Sequence, residues 1–270
     1  MRRRVDLLAL VLGLILLAPL AKAQGIAVSP SRVFFEGAPG ETVVQALTFS
    51  NTSNMPFTLR ASIKDWQRDS LGRKVYFPAA TLEHSNSNWI TLSTSTVTLQ
   101  PGATQEVMLT MTVPEGVPKR LTNSMVFFTQ TKARQSTISE TPQLGVNVLL
   151  ELGVQAYHDP GALAVGELNF IAFEDFGITT AASGPVRRLG VKIKNSGELN
   201  QDAHLRFELT DMTTGEELPV STVPIAMLPG AEQWVYIDAD AGLDGRYLAV
   251  AILDAGSSYD LKVAEKELTY

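Results

Sequence analysis

Apolar and polar residues alternate along most of the chain in short runs that Gly, Pro and Asn interrupt. In the run FTLRASIKDW, apolar residues occupy every second position from 57 to 63: Phe57, Leu59, Ala61 and Ile63. An alternation of period two is typical of a strand with one buried face. No segment after the first 23 residues has a convincing helical period. Short strands with turn signals between them predict an all-β fold.

The chain repeats part of its own pattern. FSNTSNMPFTLRASIKD (49–65) is echoed by IKNSGELNQDAHLRFELTD (193–211), and LQPGATQEV (99–107) is echoed by MLPGAEQWV (227–235). Both echoes occur in the same order, and repetition over this distance indicates tandem copies of one type of domain.

We therefore predict two domains, 24–158 and 161–270, with the boundary in the loop signal His158-Asp159-Pro160-Gly161. Each is expected to be a seven-stranded, immunoglobulin-like β-sandwich, in which the apolar faces of two sheets pack together. Two polar segments do not fit the repeat. We expect 67–88 to be a long loop or a short hairpin, and 132–141 to be a flexible connection between strands.

The first 23 residues have the layout of a secretory signal peptide. Arg2, Arg3 and Arg4 precede an apolar stretch at 7–20, and Ala-Lys-Ala follows at 21–23. The apolar stretch is shorter than the roughly 20 residues that a membrane span needs, so cleavage and export are favoured. Retention of the segment as an anchor stays an open alternative.

Composition excludes several classes of function. The net charge is −6, and the signal segment carries more basic than acidic residues, so the exported chain is still more acidic. No Lys/Arg cluster remains to bind nucleic acid. The chain has no cysteine, which rules out thiol catalysis and thiolate metal sites. Its three histidines are far apart and no hydrolase signature is present, so we expect no enzyme, no cofactor and no metal.

Two acidic stretches are candidate calcium sites. FEDFG (173–177) and DADAGLDG (238–245) combine carboxylates with glycines, but their spacing departs from that of a regular calcium loop. The second stretch corresponds to an ordinary turn between strands in the first domain.

The segment QLGVNVLLELGVQAYH (143–158) is longer than a typical strand of about 5–6 residues. Its even positions from 144 to 156 are all apolar: Leu144, Val146, Val148, Leu150, Leu152, Val154 and Ala156. It is either a long last strand of the first domain or a sheet edge that offers an apolar row to another protein. Adding a strand across such an edge is an established mode of recognition.

VSPSRVFFEG (28–37), LTFSNTSNMPF (47–57), TLQPGATQEVMLTMTVPEG (98–116) and the long strand ending in VQAYHDP (154–160) resemble segments of the PapD-like periplasmic pilus chaperones. The resemblance covers essentially the whole chain after the signal segment. It implies two immunoglobulin-like domains in a boomerang-like arrangement, located in the periplasm. It also implies a non-catalytic chaperone that completes an exported, pilin-like β-sandwich subunit with an edge strand at about 143–156, and that works with an outer-membrane usher.

The resemblance also implies roles for single residues. Arg32 matches an arginine that binds the terminal carboxylate of the subunit between the two domains. The side chains of the client-binding strand would be Leu144, Val146, Val148, Leu150 and Leu152. The lysine that shares the carboxylate in this family has no counterpart here, since no Lys or Arg occurs from Gln135 to Val186. Arg187 and Arg188 are candidates to replace it.

Two alternatives stay open. Arg32 could be a solvated strand residue or a member of a structural ion pair, because exposed arginines are common. The whole chain could also be a structural surface-assembly or adhesion module of tandem immunoglobulin-like domains, with no client.

Overall fold

The computed structural model describes residues 25–117, 119–131, 149–218 and 222–270. The predicted signal segment, the predicted connection 132–141 and the first part of the predicted long strand lie outside the described residues.

The described residues of the first half of the chain form ten strands and one short 3₁₀ turn at Ser87–Trp89. The strands are β1 (Ile26–Ser29), β2 (Arg32–Glu36), β3 (Thr42–Asn51), β4 (Phe57–Arg68), β5 (Lys74–Phe77), β6 (Ile90–Leu92), β7 (Thr96–Leu99), β8 (Thr104–Thr112), β9 (Thr122–Gln130) and β10 (Glu151–Asp159). One sheet has the order β1-β3-β8-β6, and the other has the order β2-β10-β9-β4-β5 with β7 also paired to β4.

In the second half, the described residues form eight strands. They are β11 (Leu168–Ala181), β12 (Gly184–Asn195), β13 (Gln201–Asp211), β14 (Glu217–Leu218), β15 (Thr222–Met227), β16 (Glu232–Asp240), β17 (Arg246–Asp254) and β18 (Lys262–Thr269). One sheet has the order β11-β12-β16, and the other has the order β14-β13-β17-β18 with β15 also paired to β13.

Each half packs its two sheets around a core of its own. Phe35, Phe49, Leu59, Leu109 and Phe128 are among the fully buried residues of the first core, and the second is built around residues such as Leu189, Val191, Leu205, Phe207 and Ala251. The predicted fold class, two tandem all-β sandwiches, is confirmed. The strand number differs from seven, partly because the opening strand divides into β1 and β2, which join different sheets. The exact domain limits, 24–158 and 161–270, stay a prediction.

The repeat seen in the sequence has a physical basis in two buried asparagines, Asn51 and Asn195. The Nδ2 group of Asn51 donates to the carbonyl of Leu99 at 3.2 Å, and that of Asn195 donates to the carbonyl of Met227 at 3.2 Å. In both domains the asparagine backbone also bonds to the Pro-Gly turn, through Gly102 in one and Gly230 in the other. Each asparagine therefore ties the end of one strand to a turn that lies far away in the sequence.

The segment expected as a loop or a hairpin contains the hairpin of β4 and β5, in which Trp66 pairs with Tyr76. Its turn reaches the second domain, where the backbone N–H of Trp234 donates to the carbonyl of Ser70 at 2.8 Å. Gly72 adopts φ +77°, and a Cβ atom there would collide with the side chain of Gln233. The hairpin thus holds the two domains in contact.

A small apolar cluster fills the space between the domains. It contains Trp66, Leu121, Met125, Phe127, Tyr157 and Leu228. Leu228, in the Pro-Gly turn of the second domain, packs here against side chains of the first. Burial of these side chains adds to the hydrogen bond at Ser70 and fixes the cleft described next.

Candidate functional site

The site is built around β10, the last strand of the first domain. Along one side, β10 pairs with β9 from Glu151 to His158. Along the other side it pairs in parallel with β2, but only from Gln155, which lies opposite Arg32. In the part of the chain that the structure describes, no strand pairs with this second side at Glu151–Val154. Among the described residues, the first half of β10 therefore has an open edge.

The open edge carries backbone groups that can form hydrogen bonds. The N–H of Gln155 donates to the carbonyl of Ser31 at 3.0 Å, so the backbone groups of Gln155 point toward β2. The carbonyl of Leu150 accepts from the backbone N–H of Gln130 at 2.8 Å, so the backbone groups of Leu150 point toward β9. Because backbone groups alternate along a strand, those of Glu151 and Gly153 point to the open edge.

The predicted apolar row divides into three parts. Leu144, Val146 and Val148 lie outside the described residues. Leu150 and Leu152 are half-buried, and Leu152 packs partly against the first core. Val154 and Ala156 are fully buried in that core. The end of the row thus serves the chain's own fold, and only the residues before Val154 remain for a partner.

Arg32 is the first residue of β2 and lies at the inner end of the open edge. Its Nη1 atom donates to Oδ2 of Asp202, which is on β13 of the second domain. The Arg32 side chain is 32% exposed and that of Asp202 is 52% exposed. Burial alone would lower the pKa of Arg32, but the hydrogen bond and the charge of Asp202 raise it on balance. The arginine therefore binds a carboxylate in this structure, and that carboxylate belongs to the same chain.

Two further cations lie near Arg32, and both come from the hairpin of β4 and β5. Arg68 donates to the carbonyl of Gly72 at 2.6 Å, and its guanidinium carbon lies 5.7 Å from the centre of the Trp66 ring. The Nζ atom of Lys74 lies 5.5 Å from the same ring. We call Arg32, Arg68 and Lys74 the cation cluster.

The members of the cation cluster repel one another. Partial burial lowers the pKa of Arg68, and the charge of Arg32 lowers it further. The pKa of Lys74 is lowered by desolvation and then by the charges of Arg68 and Arg32. Within the described residues, no carboxylate lies within 4.0 Å of the charged nitrogens of Arg68 or Lys74. The cluster has more positive charge than Asp202 neutralises.

A cleft of about 500 Å³ opens at this point between the domains. Arg32 and Arg68 line it from the first domain, and Asp202, His204 and Asp254 line it from the second. Beside Arg32, Tyr157 donates through its hydroxyl to Gln155 at 2.7 Å. Burial raises the pKa of Tyr157 to about 12, so the phenol is neutral and adds no negative charge to the cleft.

Neither arginine proposed to replace the missing lysine lines the cleft. Arg187 forms an ion pair with Asp175 at 3.2 Å, and its guanidinium carbon lies 3.6 Å from the centre of the Tyr270 ring. Arg188 forms two hydrogen bonds with Asp238, at 2.7 and 2.8 Å. Both arginines are thus engaged within the second domain.

The sequence indicated Arg32 but not Arg68, Lys74 or Asp202. The two cations lie in the segment expected as a polar loop or hairpin, and Asp202 lies in an ordinary alternating strand. No local pattern marks them, because only the packing of the two domains brings them together.

Over the described ranges, no group of three or more His, Asp or Glu side chains could hold a metal ion, the two acidic stretches included. Nor does any helix there have the length and apolar character needed to cross a bilayer.

Comparison with known proteins gave structural likenesses only. No family model matches the chain, and no curated protein matches it. The solved structures similar to it include fimbrial chaperones. One is a complex of the chaperone CsuC with the tip subunit CsuE from archaic chaperone-usher pili of Acinetobacter baumannii (14% identity, TM-score 0.48, 89% of this chain and 97% of the other).

Two further similar structures are the Salmonella enterica pilin SafA with the chaperone SafB, and the E. coli chaperone DraB. The SafB match has 14% identity and a TM-score of 0.44, and it covers 93% of this chain and 98% of the other. The DraB match has 15% identity and a TM-score of 0.45, and it covers 91% and 98%.

Proposed function

We propose that this protein is a non-catalytic periplasmic chaperone that captures an exported, incomplete β-sandwich subunit, which we call the client. The client would add a strand to the open edge of β10, and Arg32 would bind its terminal carboxylate. The observation that carries this proposal is the register of β2 on β10, because the open edge ends directly at Arg32. The sequence resemblance to the PapD-like chaperones points to the same function.

The register also sets the direction of the added strand. A client strand that lies along Glu151–Val154 and ends at Arg32, the first residue of β2, would continue the line of β2. It would therefore run parallel to β10. Its backbone would bond to Glu151 and Gly153, while the row that includes Leu150 and Leu152 would meet the client's core. Because both leucines are already half-buried, burying the rest of their side chains would contribute about 1.5–3 kcal/mol before the cost of association is subtracted.

The test is the capture of subunits in the periplasm. The chain is expressed in wild-type form, as Leu150→Arg and as Leu149→Arg, in cells that make pili, and the proteins isolated with it are identified. Leu149 is 52% exposed and has the opposite orientation along the chain, so its variant is a matched control. We expect a small β-rich subunit with the wild type and with Leu149→Arg, and none with Leu150→Arg.

A stable, correctly exported chain that isolates no subunit in such cells would contradict the proposal. It would favour the alternative, a structural module of tandem immunoglobulin-like domains without a client. Equal capture by the two leucine variants would refute the role of the β10 edge.

A further inference from the structure

We propose that Arg32 and Arg68 are the two guanidinium arms of one carboxylate-binding site, and that Asp202 occupies this site until a client displaces it. The inference rests on the proposed function, and it names the group that takes the place of the missing lysine. It also assigns the second domain a part in binding, as the source of a competing carboxylate.

Arg68 is suited to this role because it lies in the cleft without a counter-ion among the described residues. Its position is fixed by the hydrogen bond to Gly72 and by the Trp66 ring beside it. A half-buried guanidinium without an acid is costly, and a carboxylate that entered the cleft would relieve that cost. A guanidinium also binds a carboxylate through two parallel hydrogen bonds, which a single lysine does not.

The strand that faces Arg32 cannot supply the second cation. Gln155 lies directly opposite Arg32, and its side-chain oxygen accepts the hydroxyl of Tyr157. The second positive charge must therefore come from another element. Arg68 on β4 lines the same cleft as Arg32, whereas Arg187 and Arg188 are paired elsewhere.

Asp202 has the features of a replaceable occupant. It extends from β13 across the cleft to Arg32, and its side chain is more than half exposed. Arg32 is its one ion-pair partner among the described residues. An exposed ion pair of this kind contributes little to stability, so a client carboxylate can replace it at small cost. A client carboxylate that takes the Nη1 group of Arg32 would compete directly with Asp202 and release it.

The experiment measures peptide binding without the natural client. The probe is an N-acetylated hexapeptide of alternating valine and threonine, made with a free carboxyl terminus and as the terminal amide. Binding is followed by calorimetry and by tryptophan fluorescence, because Trp66 adjoins Arg68. The variants are Asp202→Asn, Arg68→Gln and Arg68→Lys. Arg60→Gln is the control, since Arg60 is an exposed arginine on the same strand, outside the cleft.

We expect Asp202→Asn to bind the free carboxylate about tenfold more tightly than the wild type, and Arg68→Gln to bind it about tenfold more weakly. Arg68→Lys should lie between the wild type and Arg68→Gln, because it keeps the charge and loses the planar fork. Arg60→Gln should match the wild type, and the amide peptide should not distinguish any of the proteins. Thermal midpoints close to that of the wild type would show that the variants are folded.

Unchanged affinity for the free carboxylate in both Asp202→Asn and Arg68→Gln would overturn the inference. The same changes with the amide peptide would also overturn it, because the effect would not depend on a carboxylate. These outcomes are separate from a failure of the proposed function. If the chain captured subunits through Leu150 but Arg68→Gln left carboxylate binding unchanged, the proposed function would stand and this inference would fail. If the chain bound the peptide as expected but captured no subunit, this inference would stand and the proposed function would fail.

Discussion

Replacing Asp65 with asparagine tests a buried carboxylate of the first domain that accepts four hydrogen bonds. Asp65 lies on β4 and is fully buried. One carboxylate oxygen accepts from the backbone N–H groups of Thr81 at 2.7 Å and Leu82 at 2.8 Å. The other accepts from the hydroxyl of Ser85 at 2.6 Å and from the N–H of Ala80 at 3.3 Å. The carboxylate therefore holds the loop that follows β5 against β4.

The expected cost follows from these four bonds. Asparagine keeps one acceptor oxygen and puts an NH₂ group where the second oxygen was, so two donors lose their acceptor and face another donor. Hydrogen bonds to a charged group contribute about 1.5–3 kcal/mol each. We therefore expect Asp65→Asn to lower the free energy of unfolding of the first domain by about 3–6 kcal/mol at pH 7.

The loss of stability caused by Asp65→Asn must also depend on pH. Burial alone would raise the pKa of Asp65, but the hydrogen bonds from Leu82, Ser85 and Thr81 lower it on balance. A carboxyl group whose pKa is lowered by folding adds stability above its unfolded pKa, about 3.9. That contribution is lost as the pH falls through the folded value. The difference between wild type and Asp65→Asn should be constant from pH 7 to pH 5 and should shrink at pH 3.

Urea unfolding, monitored by tryptophan fluorescence, measures the free energy of unfolding at pH 7, 5 and 3. Fluorescence reports on the first domain because Trp66 and Trp89 lie in it. Glu106→Gln is the control, because Glu106 is an exposed carboxylate on β8. It should match the wild type at pH 7. A difference below about 1 kcal/mol for Asp65→Asn at pH 7, or one that persists in full at pH 3, would refute the reasoning.

Three further predictions follow from single contacts. Asn51→Ala and Asn195→Ala should each lower the unfolding free energy of their own domain by about 2–4 kcal/mol in urea titrations, because each leaves buried carbonyl groups without a donor; a neutral result for either would contradict the equivalence of the repeats. Gly190→Ala should lower stability by about 1–3 kcal/mol, since its Cβ would lie 2.7 Å from the Tyr236 ring and 2.9 Å from that of Phe176. Gly25→Ala, with open space around it, should have no effect. Arg32→Ala should leave the thermal midpoint nearly unchanged while abolishing binding of a peptide with a free carboxylate, and equal affinity would refute the anchor.

The features that the sequence predicted well are those that depend on neighbouring residues. Alternation of period two identified the strands, because each strand buries one face. The repeat was visible because the same asparagine and Pro-Gly turn recur, and the hydrogen bonds of Asn51 and Asn195 explain why both motifs are needed together. Strand number was less predictable, since the division of the opening strand depends on which sheet each part joins.

The site could be predicted only in part. Arg32 and the β10 row were identified through the resemblance and the length of the apolar row. Arg68 and Asp202 are 134 positions apart in the sequence and line the same cleft only because the β4–β5 hairpin contacts the second domain. No property of their immediate neighbours encodes that contact, so sequence patterns alone could not have found them.

The open edge and the cation cluster have a common structural origin. Because β2 begins to pair with β10 at Arg32, the position opposite Gln155 is both the end of the open edge and the start of a charged cleft. If β2 began two residues earlier, its backbone would cover Gly153 and the edge would be shorter. If it began two residues later, Arg32 would leave the sheet and lose its fixed direction toward Asp202. The register of one five-residue strand therefore determines both where an added strand would end and which charge it would meet there.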